Sequence, residues 1–197
     1  METARYVVAL IAVVVYPPVL CYWLLVHPLT RFWRWIGLAA SYPIVAVILV
    51  GICAGMYLLR EPILAVEFGT NWLLIGLAAI LLVAGMAIEV RCRKQLAVST
   101  LFGVPQLKPE GSPRKLLKEG IYGRIRHPRY AGATFGLLAT ALFVNYFAIH
   151  VLALVYFPIM YIITVLEEKE LLDRFGEGYR EYRRNVPRFI PRRRRRT

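Results

Sequence analysis

Long apolar runs alternate with short, strongly charged connections along this chain. The first three runs cover about 6 to 27, 36 to 58 and 71 to 90. A fourth apolar stretch, 131 to 166, contains no Lys, Arg, Asp or Glu. A helix rises about 1.5 Å per residue, so some twenty apolar residues cross a hydrocarbon layer about 30 Å thick. Each of the first three runs therefore predicts one membrane helix. The fourth is too long for one upright helix, and Asn145-Tyr146-Phe147, with His150 just beyond, supplies a turn near its middle. It reads as a helical hairpin. The expected fold class is an all-α integral membrane protein with about five transmembrane helices and a C-terminal cytoplasmic ligand-binding region.

Local signals set the boundaries. Pro17-Pro18 predicts a kink in the first helix, with bundle neighbours satisfying the freed carbonyls. Trp33 and Trp35 read as interface anchors before the second span. Arg60, Glu61 and Glu67 belong to a short loop, and Thr70 and Asn71 are candidate caps of the third span. A long polar connection follows, from about 91 to 129. Its first turns continue the third helix, because Glu89, Arg91 and Arg93 are costly at mid-bilayer. Pro105, Pro109, Gly111, Ser112 and Pro113 then break regular structure. A connection this long is more often functional than idle. The organisation expected is two regions, 1–90 with three helices and 91–197 with the connection, the hairpin and a basic tail.

Composition agrees with this pattern. The 197 residues are 58% hydrophobic, with a mean hydropathy of +0.54. A soluble domain of that size could not hide so many apolar runs. The net charge of +13 is localised: segments 91–130 and 167–197 hold ten and eleven of the 25 Lys and Arg residues. Basic segments beside membrane helices mark the cytoplasmic side. That rule puts the C-terminus, the 91–130 connection and the Arg31–Arg34 loop inside. The N-terminus and the Glu61–Glu67 loop fall outside. Anionic lipid explains the Arg192–Arg196 run more simply than nucleic acid does.

Cys21, Cys53 and Cys92 are too few and scattered for a disulfide or zinc framework. His27, His127 and His150 form no metal-ligand pattern. The N-terminal run outlasts the apolar core of a signal peptide. Dinucleotide, P-loop, zinc-protease and serine-hydrolase motifs are all missing.

The hairpin brings two polar clusters back to one water-facing surface. Glu167-Glu168 stands where the last apolar helix emerges. It reads either as an ordinary helix end with local ion pairs or as a recogniser of a cation such as an amino-acid ammonium. Arg126-His127-Pro128-Arg129-Tyr130 stands at the other mouth. It reads either as a set of interface anchors or as a site. His127 precedes a proline and is held out of the helical region, at a helix start whose free N–H groups suit an anionic or polar ligand. The amphipathic tail around 175–182 reads as a surface helix with snorkelling arginines, or as a lid.

In order along the chain stand Gly120-x-Tyr122, Arg126-His127-Pro128-x-Tyr130-x-Gly132, Glu167-Glu168-x-x-Leu171, Phe175-Gly176-x-x-Tyr179-x-x-Tyr182 and Val186-Pro187. This series resembles the isoprenylcysteine carboxyl methyltransferases and their relatives, the membrane phospholipid methyltransferases. The likeness covers roughly 114 to 191. It implies S-adenosylmethionine as cofactor, with S-adenosylhomocysteine as product. By matching positions, cofactor contacts fall on Arg114, Lys115, Leu116, Leu117, Tyr122, His127, Pro128, Arg129, Tyr130, Glu167 and Glu168. The catalytic set implied is Arg126, His127 and Glu167, in a catalytic region spanning 91–197.

The implied acceptor is a lipophilic small molecule or lipidated substrate drawn from the membrane, most directly the α-carboxylate of a prenylcysteine-like molecule. One departure bears on it. The prenylcysteine enzymes carry an arginine one helical turn before the glutamate pair, and here that position is Ile163. Isoleucine cannot clasp a carboxylate. A carboxylate acceptor needs no general base; an amine must lose a proton, for which His127 is the available base. Methylation of a lipid amine or a thiol therefore stays open, as does a non-enzymatic membrane scaffold. A nicotinamide-dependent membrane reductase has no supporting motif.

Overall fold

The structure is a computed structural model that describes residues 1–95 and 116–191. Seven helices form among the described residues: α1 (Glu2–Val26), α2 (Thr30–Leu58), α3 (Arg60–Ile63), α4 (Trp72–Arg93), α5 (Pro128–Val144), α6 (Phe147–Phe175) and α7 (Glu177–Asn185). Four of them, α1, α2, α4 and α6, are long and apolar enough to cross a membrane. The fifth expected span, α5, has 17 residues, the lower end of the spanning range. The outward faces carry Leu73, Ile80, Val83 and Leu154, all exposed. Helices apolar on every side suit lipid rather than water. The protein is an all-α membrane protein.

The hairpin closes where the sequence pattern places it. Asn145 caps α5 in the left-handed conformation, φ 55 and ψ 44, which Asn tolerates better than most residues. Asn71 caps α4 by accepting from the N–H groups of Leu73 and Leu74. Helix α2 is broken at Gly37 into a short helix from Thr30 and the second span proper, which begins near 36 as expected. One expectation needs correction. Trp33 is buried, and its indole N–H donates to the Leu25 carbonyl at 3.0 Å. It ties α1 to α2, and of the two tryptophans Trp35 alone is exposed as an anchor should be. The break at Gly37 has φ 77 and ψ 170, a conformation reserved for glycine, and α1 holds Pro17 and Pro18 inside its length. The expected breaks at Pro105 to Pro113 and the Arg192–Arg196 run lie outside the described residues.

Packing is tightest where side chains are small. Ala9, Ala12 and Val13 of α1 meet Leu137, Ala141 and Val144 of α5, together with Ile149, Ala153 and Tyr156 of α6. The seam of α4 with α5 depends on two glycines. A Cβ on Gly85 would sit 3.1 Å from the Gly132 carbonyl oxygen. Small residues let membrane helices approach backbone to backbone.

The end of the bundle at the α5–α6 turn is fastened by a charge. Arg5 is fully buried and donates to the Val144 carbonyl (Nη2, 2.7 Å), to Thr70 Oγ1 (3.0 Å) and to Glu67 Oε1 (2.7 Å). The Tyr146 hydroxyl donates to the other Glu67 oxygen at 3.0 Å. One arginine thus joins α1, the loop before α4 and the hairpin turn. Glu67 is partly exposed, and Arg5 keeps its bonds to Val144 and Thr70 without it. Glu67→Gln should therefore destabilise the protein by about 1–3 kcal/mol, the cost of one charge-assisted bond, read as earlier thermal unfolding in detergent. The double change Arg5→Met with Glu67→Gln should recover part of that loss.

Candidate active site

Two local rules build the site at the opposite end. Pro128 occupies the first turn of α5, so His127 becomes the residue before the helix, with φ −120 and ψ 57. That conformation keeps His127 out of the helix and leaves the N–H groups of Arg126 and His127 free for partners outside it. They find them in the tail: Arg126 N donates to the Pro187 carbonyl at 2.9 Å and His127 N to the Arg188 carbonyl at 3.1 Å. Meanwhile α6 runs on past Leu166, the last residue of its apolar stretch, as far as Phe175. Glu167 and Glu168 sit in its first polar turn.

Glu168 is the centre of this region. It is 3% exposed. Its Oε1 accepts from Arg126 Nη2 (2.8 Å) and Nε (3.1 Å), from His127 Nε2 (3.0 Å) and from Arg188 Nε (2.9 Å). Its Oε2 accepts from Arg188 Nη2 at 2.7 Å. Three cationic side chains from two parts of the chain, the 126–127 segment and the tail, converge on one carboxylate, and Arg183 Nε stands 4.0 Å from it as well. Arg126 also donates through Nη1 to the carbonyls of Arg183 (2.7 Å) and Val186 (2.8 Å). The tail is therefore held over the 126–127 segment by both backbone and side-chain bonds.

Glu167 is held differently. His127 Nδ1 stands 3.4 Å from its Oε2, an ion-pair contact, and that oxygen is buried without a hydrogen bond among the described residues. The Tyr130 phenol also contacts the Glu167 carboxylate. His127 thus faces a carboxylate from each ring nitrogen, an arrangement that a neutral imidazole, with one N–H, cannot satisfy. Burial disfavours its charge. The hydrogen bond to Glu168 and the charges of both glutamates outweigh that burial and hold the imidazole above its ordinary value.

The tail completes the enclosure. Tyr179, Tyr182 and Val186 pack on Leu116, Leu171, Leu172 and Phe175. The Tyr182 hydroxyl donates to the Tyr122 carbonyl at 2.7 Å, and the Tyr122 phenol lies against the buried Cys92 thiol. Arg129 places its charge near the same two groups. A cavity of about 780 Å³ opens between the end of α4, the start of α5 and the tail, lined in part by Ile88, Ile125, Phe135, Phe189 and the cations Arg91 and Arg124. Phe189 also packs on His127, ring centroids 5.9 Å apart.

Of the residues singled out from the sequence, Arg126, His127, Tyr130, Glu167 and Glu168 converge directly. Tyr122, Pro128 and Arg129 flank them. Leu116 joins the tail's apolar cluster, and Leu117 is half-buried beside it. Arg114 and Lys115 lie outside the described residues. Sequence reasoning missed Arg188, whose only signal was its place directly after Val186-Pro187. It also missed His27 and Glu170, which pair at 3.1 Å.

Comparison with known proteins adds the family. The model for phospholipid methyltransferases matches residues 73–178, more than half of the chain. The chain belongs to the phospholipid methyltransferase family. The match takes in α4, α5 and α6, and with them both polar clusters. The chain is similar to a methanethiol S-methyltransferase of Pseudomonas deceptionensis, 38% identical over 100 residues covering 46% of this chain and 36% of that protein. It is also similar to a protein-S-isoprenylcysteine O-methyltransferase of Schizosaccharomyces pombe, 34% identical over 77 residues covering 39% of this chain and 33% of that protein. The matched part thus spans about a third of the length of these curated relatives. No solved structure matches the chain.

The geometry separates the two glutamates. Glu168→Gln leaves three cations facing a neutral amide in a buried place. It should destabilise the fold by about 3–5 kcal/mol, seen as a lower unfolding temperature in detergent. Glu167→Gln should cost much less, because its carboxylate neutralises fewer cations. The histidine gives a pH dependence of known sign. A group whose value is raised on folding stabilises below its unfolded value, about 6.5 for histidine. That contribution is lost as pH rises through the folded value. Thermal stability of the wild type should therefore decline from about pH 6.5 upward, and His127→Gln should flatten that decline.

Proposed function

We propose that this protein transfers a methyl group from S-adenosylmethionine to a lipophilic acceptor at the membrane surface. The observation that carries this reading is the buried Glu167 oxygen without a hydrogen bond, beside a carboxylate already saturated by three cations. That oxygen has the 3.4 Å ion-pair contact of His127 but no hydrogen bond among the described residues, and a buried carboxylate oxygen so placed accommodates a further donor or cation. The amino-acid ammonium and the sulfonium of the cofactor are both cationic, so the residues present fit the group. Glu167 and Tyr130 would hold it, with Tyr122, Leu116 and Leu117 as further contacts and Arg129 available to its carboxylate. Arg114 and Lys115 remain assigned to it by resemblance alone. When bound, the group supplies an activated methyl.

The chain's own residues would do the rest. Glu168 fixes Arg126 and His127, so the site is organised before any ligand enters. The tail, held by Arg126, excludes water from the reacting groups. Fixing both partners in one orientation contributes up to roughly 7–11 kcal/mol toward the barrier in favourable cases. His127 serves as an orienting cation in this arrangement, because neither ring nitrogen offers a lone pair.

For the acceptor, the resemblance and the Schizosaccharomyces pombe relative favour the α-carboxylate of a prenylcysteine-like molecule. A second reading, a neutral amine or thiol on a lipophilic molecule, is favoured by Ile163. This side chain is fully buried in the apolar core shared by α1, α5 and α6, where no carboxylate clasp replaces the missing arginine. The Pseudomonas deceptionensis relative is named for a thiol acceptor.

Calorimetric titration of the detergent-purified protein tests the core of this reading. S-adenosylmethionine and S-adenosylhomocysteine should bind saturably, and a nicotinamide dinucleotide should not. Glu167→Gln should weaken that binding by roughly 10-fold or more, the loss of one charge-assisted bond of about 1.5–3 kcal/mol. Undiminished affinity in a folded Glu167→Gln protein would remove Glu167 from the site. Absence of adenosyl-ligand binding in the folded wild type would leave the membrane-scaffold reading.

A further inference from the structure

The cavity of about 780 Å³ beside the site divides into an apolar part and a charged part. Its apolar members Ile88, Ile125 and Phe135 are buried or half-buried, while its cations Arg91, Lys94 and Arg124 are exposed. The cavity therefore has an apolar floor and a cationic rim. No carboxylate is among the lining residues. Arg91 donates to the Ala87 carbonyl at 2.8 Å, and the nearby Glu89 pairs with Arg93 instead. The charge of the rim is thus uncompensated among the described residues.

Gln95 lines the same cavity. Its amide lies against Gly120, where φ is +55 and a Cβ would collide with Gln95 Nε2. The amide oxygen Oε1 is buried and has no hydrogen-bond partner among the described residues. A buried acceptor of this kind calls for a donor. Height in the membrane matters too. Arg91 and Lys94 directly follow the apolar run of α4, which ends at Val90. Cations at that point of a membrane helix stand at the level of lipid headgroups. Met86 and Val90 of the same helix are exposed.

We propose that this cavity binds a phospholipid with an anionic, hydroxyl-bearing headgroup, as a bound companion and not as the molecule methylated. The phosphate meets Arg91, Lys94 and Arg124, a headgroup hydroxyl donates to Gln95 Oε1, and one acyl chain covers the apolar floor. The other chain stays in the bilayer beside Met86 and Val90. A soluble phosphate compound would leave the floor unused, and a neutral lipid would leave the rim uncompensated. This lipid offers no amine, thiol or carboxylate to a methyl donor, and His127, Tyr130 and Glu167 are absent from the lining. One residue joins the two places. Phe189 lines the cavity and packs on His127, and the adjoining Pro187 and Arg188 carbonyls hold the N–H groups of Arg126 and His127. A lipid in the cavity braces Phe189 and so steadies the cover.

The test titrates the full chain, in a non-ionic detergent, with lipids of identical chains and reads binding by native mass spectrometry. Phosphatidylglycerol should be retained at one per protein, while phosphatidylcholine and glycerol 3-phosphate should not. Phosphatidylmethanol, which keeps the charge and lacks the hydroxyls, should bind roughly 3- to 10-fold more weakly, and Gln95→Leu should remove that difference. Arg91→Gln and Arg124→Gln should each weaken phosphatidylglycerol binding roughly 5-fold. Arg31→Gln, at a basic position outside the cavity, should leave it unchanged. Hydrogen exchange at the Arg126 and His127 amides should slow when phosphatidylglycerol is added. Equal retention of phosphatidylcholine, binding of glycerol 3-phosphate, undiminished binding in the two cavity variants or an equal loss in Arg31→Gln would each overturn the site. So would displacement of the lipid by S-adenosylhomocysteine, which would make the cavity part of the cofactor's seat. No preference over phosphatidylmethanol would overturn the role of Gln95, and unchanged exchange the brace on Phe189. Absence of adenosyl-ligand binding would overturn the methyl-transfer reading and leave this site standing.

Discussion

A carboxylate taken out of water must find its donors in the protein, and Glu168 meets that requirement with three cationic side chains. Much of the site depends on this. Arg126 is drawn from the segment before α5, Arg188 from the tail, and His127 from the α5 cap. Each brings its backbone along, which is why residues 187 and 188 lie against 126 and 127. Buried charges are weak evidence for net stability. Their effect here is specificity of arrangement: few other placements of the tail would satisfy Glu168, Arg126 and the two backbone N–H groups together.

The opposite end of the bundle follows the same rule with the sign reversed. Arg5 is the buried group there, and the hairpin turn and the loop before α4 supply its acceptors. Between the two ends the helices meet through Ala, Gly and aliphatic side chains, with Tyr16 against Tyr156 and no ion pair among the described residues. In lipid the hydrophobic effect contributes little to helix association, which relies on close packing and on polar fastenings. Placing the fastenings at the two ends fixes the relative heights of α1, α5 and α6. That in turn sets the height at which Glu167 emerges beside Tyr130.

Much of the architecture was legible because lipid imposes a simple code. Uninterrupted apolar stretches gave α1, α4 and the hairpin, and the turn at Asn145 followed from one residue able to reverse the chain. Trp33 was misread because an interface anchor and a buried indole look alike in sequence; the Leu25 carbonyl that it meets is fixed only by the α1–α2 corner. The glutamate pair and the Arg126-His127 pair were legible as partners because a charge-free hairpin must return them to one surface. Arg188, His27 and Glu170 were not. Their pairings span 20 to 143 positions, and nothing local marks an arginine in a basic tail, or a histidine at the end of an apolar run, as different from its neighbours.

The tail is the element in which charge and access meet. Arg126 donates at once to Glu168 and to the carbonyls of Arg183 and Val186, so the same guanidinium that stabilises the carboxylate also holds the cover down. Any ligand that competes for Arg126 must loosen the cover, and any movement of the cover must expose Glu168 to water. Glu167, with one buried oxygen lacking a hydrogen bond among the described residues and His127 beside it, takes no part in holding the cover. The division between a saturated glutamate and an available one follows from geometry. Only Glu168 lies within reach of the tail's Arg188, while Glu167 meets Tyr130 and, through its charge, the histidine of α1.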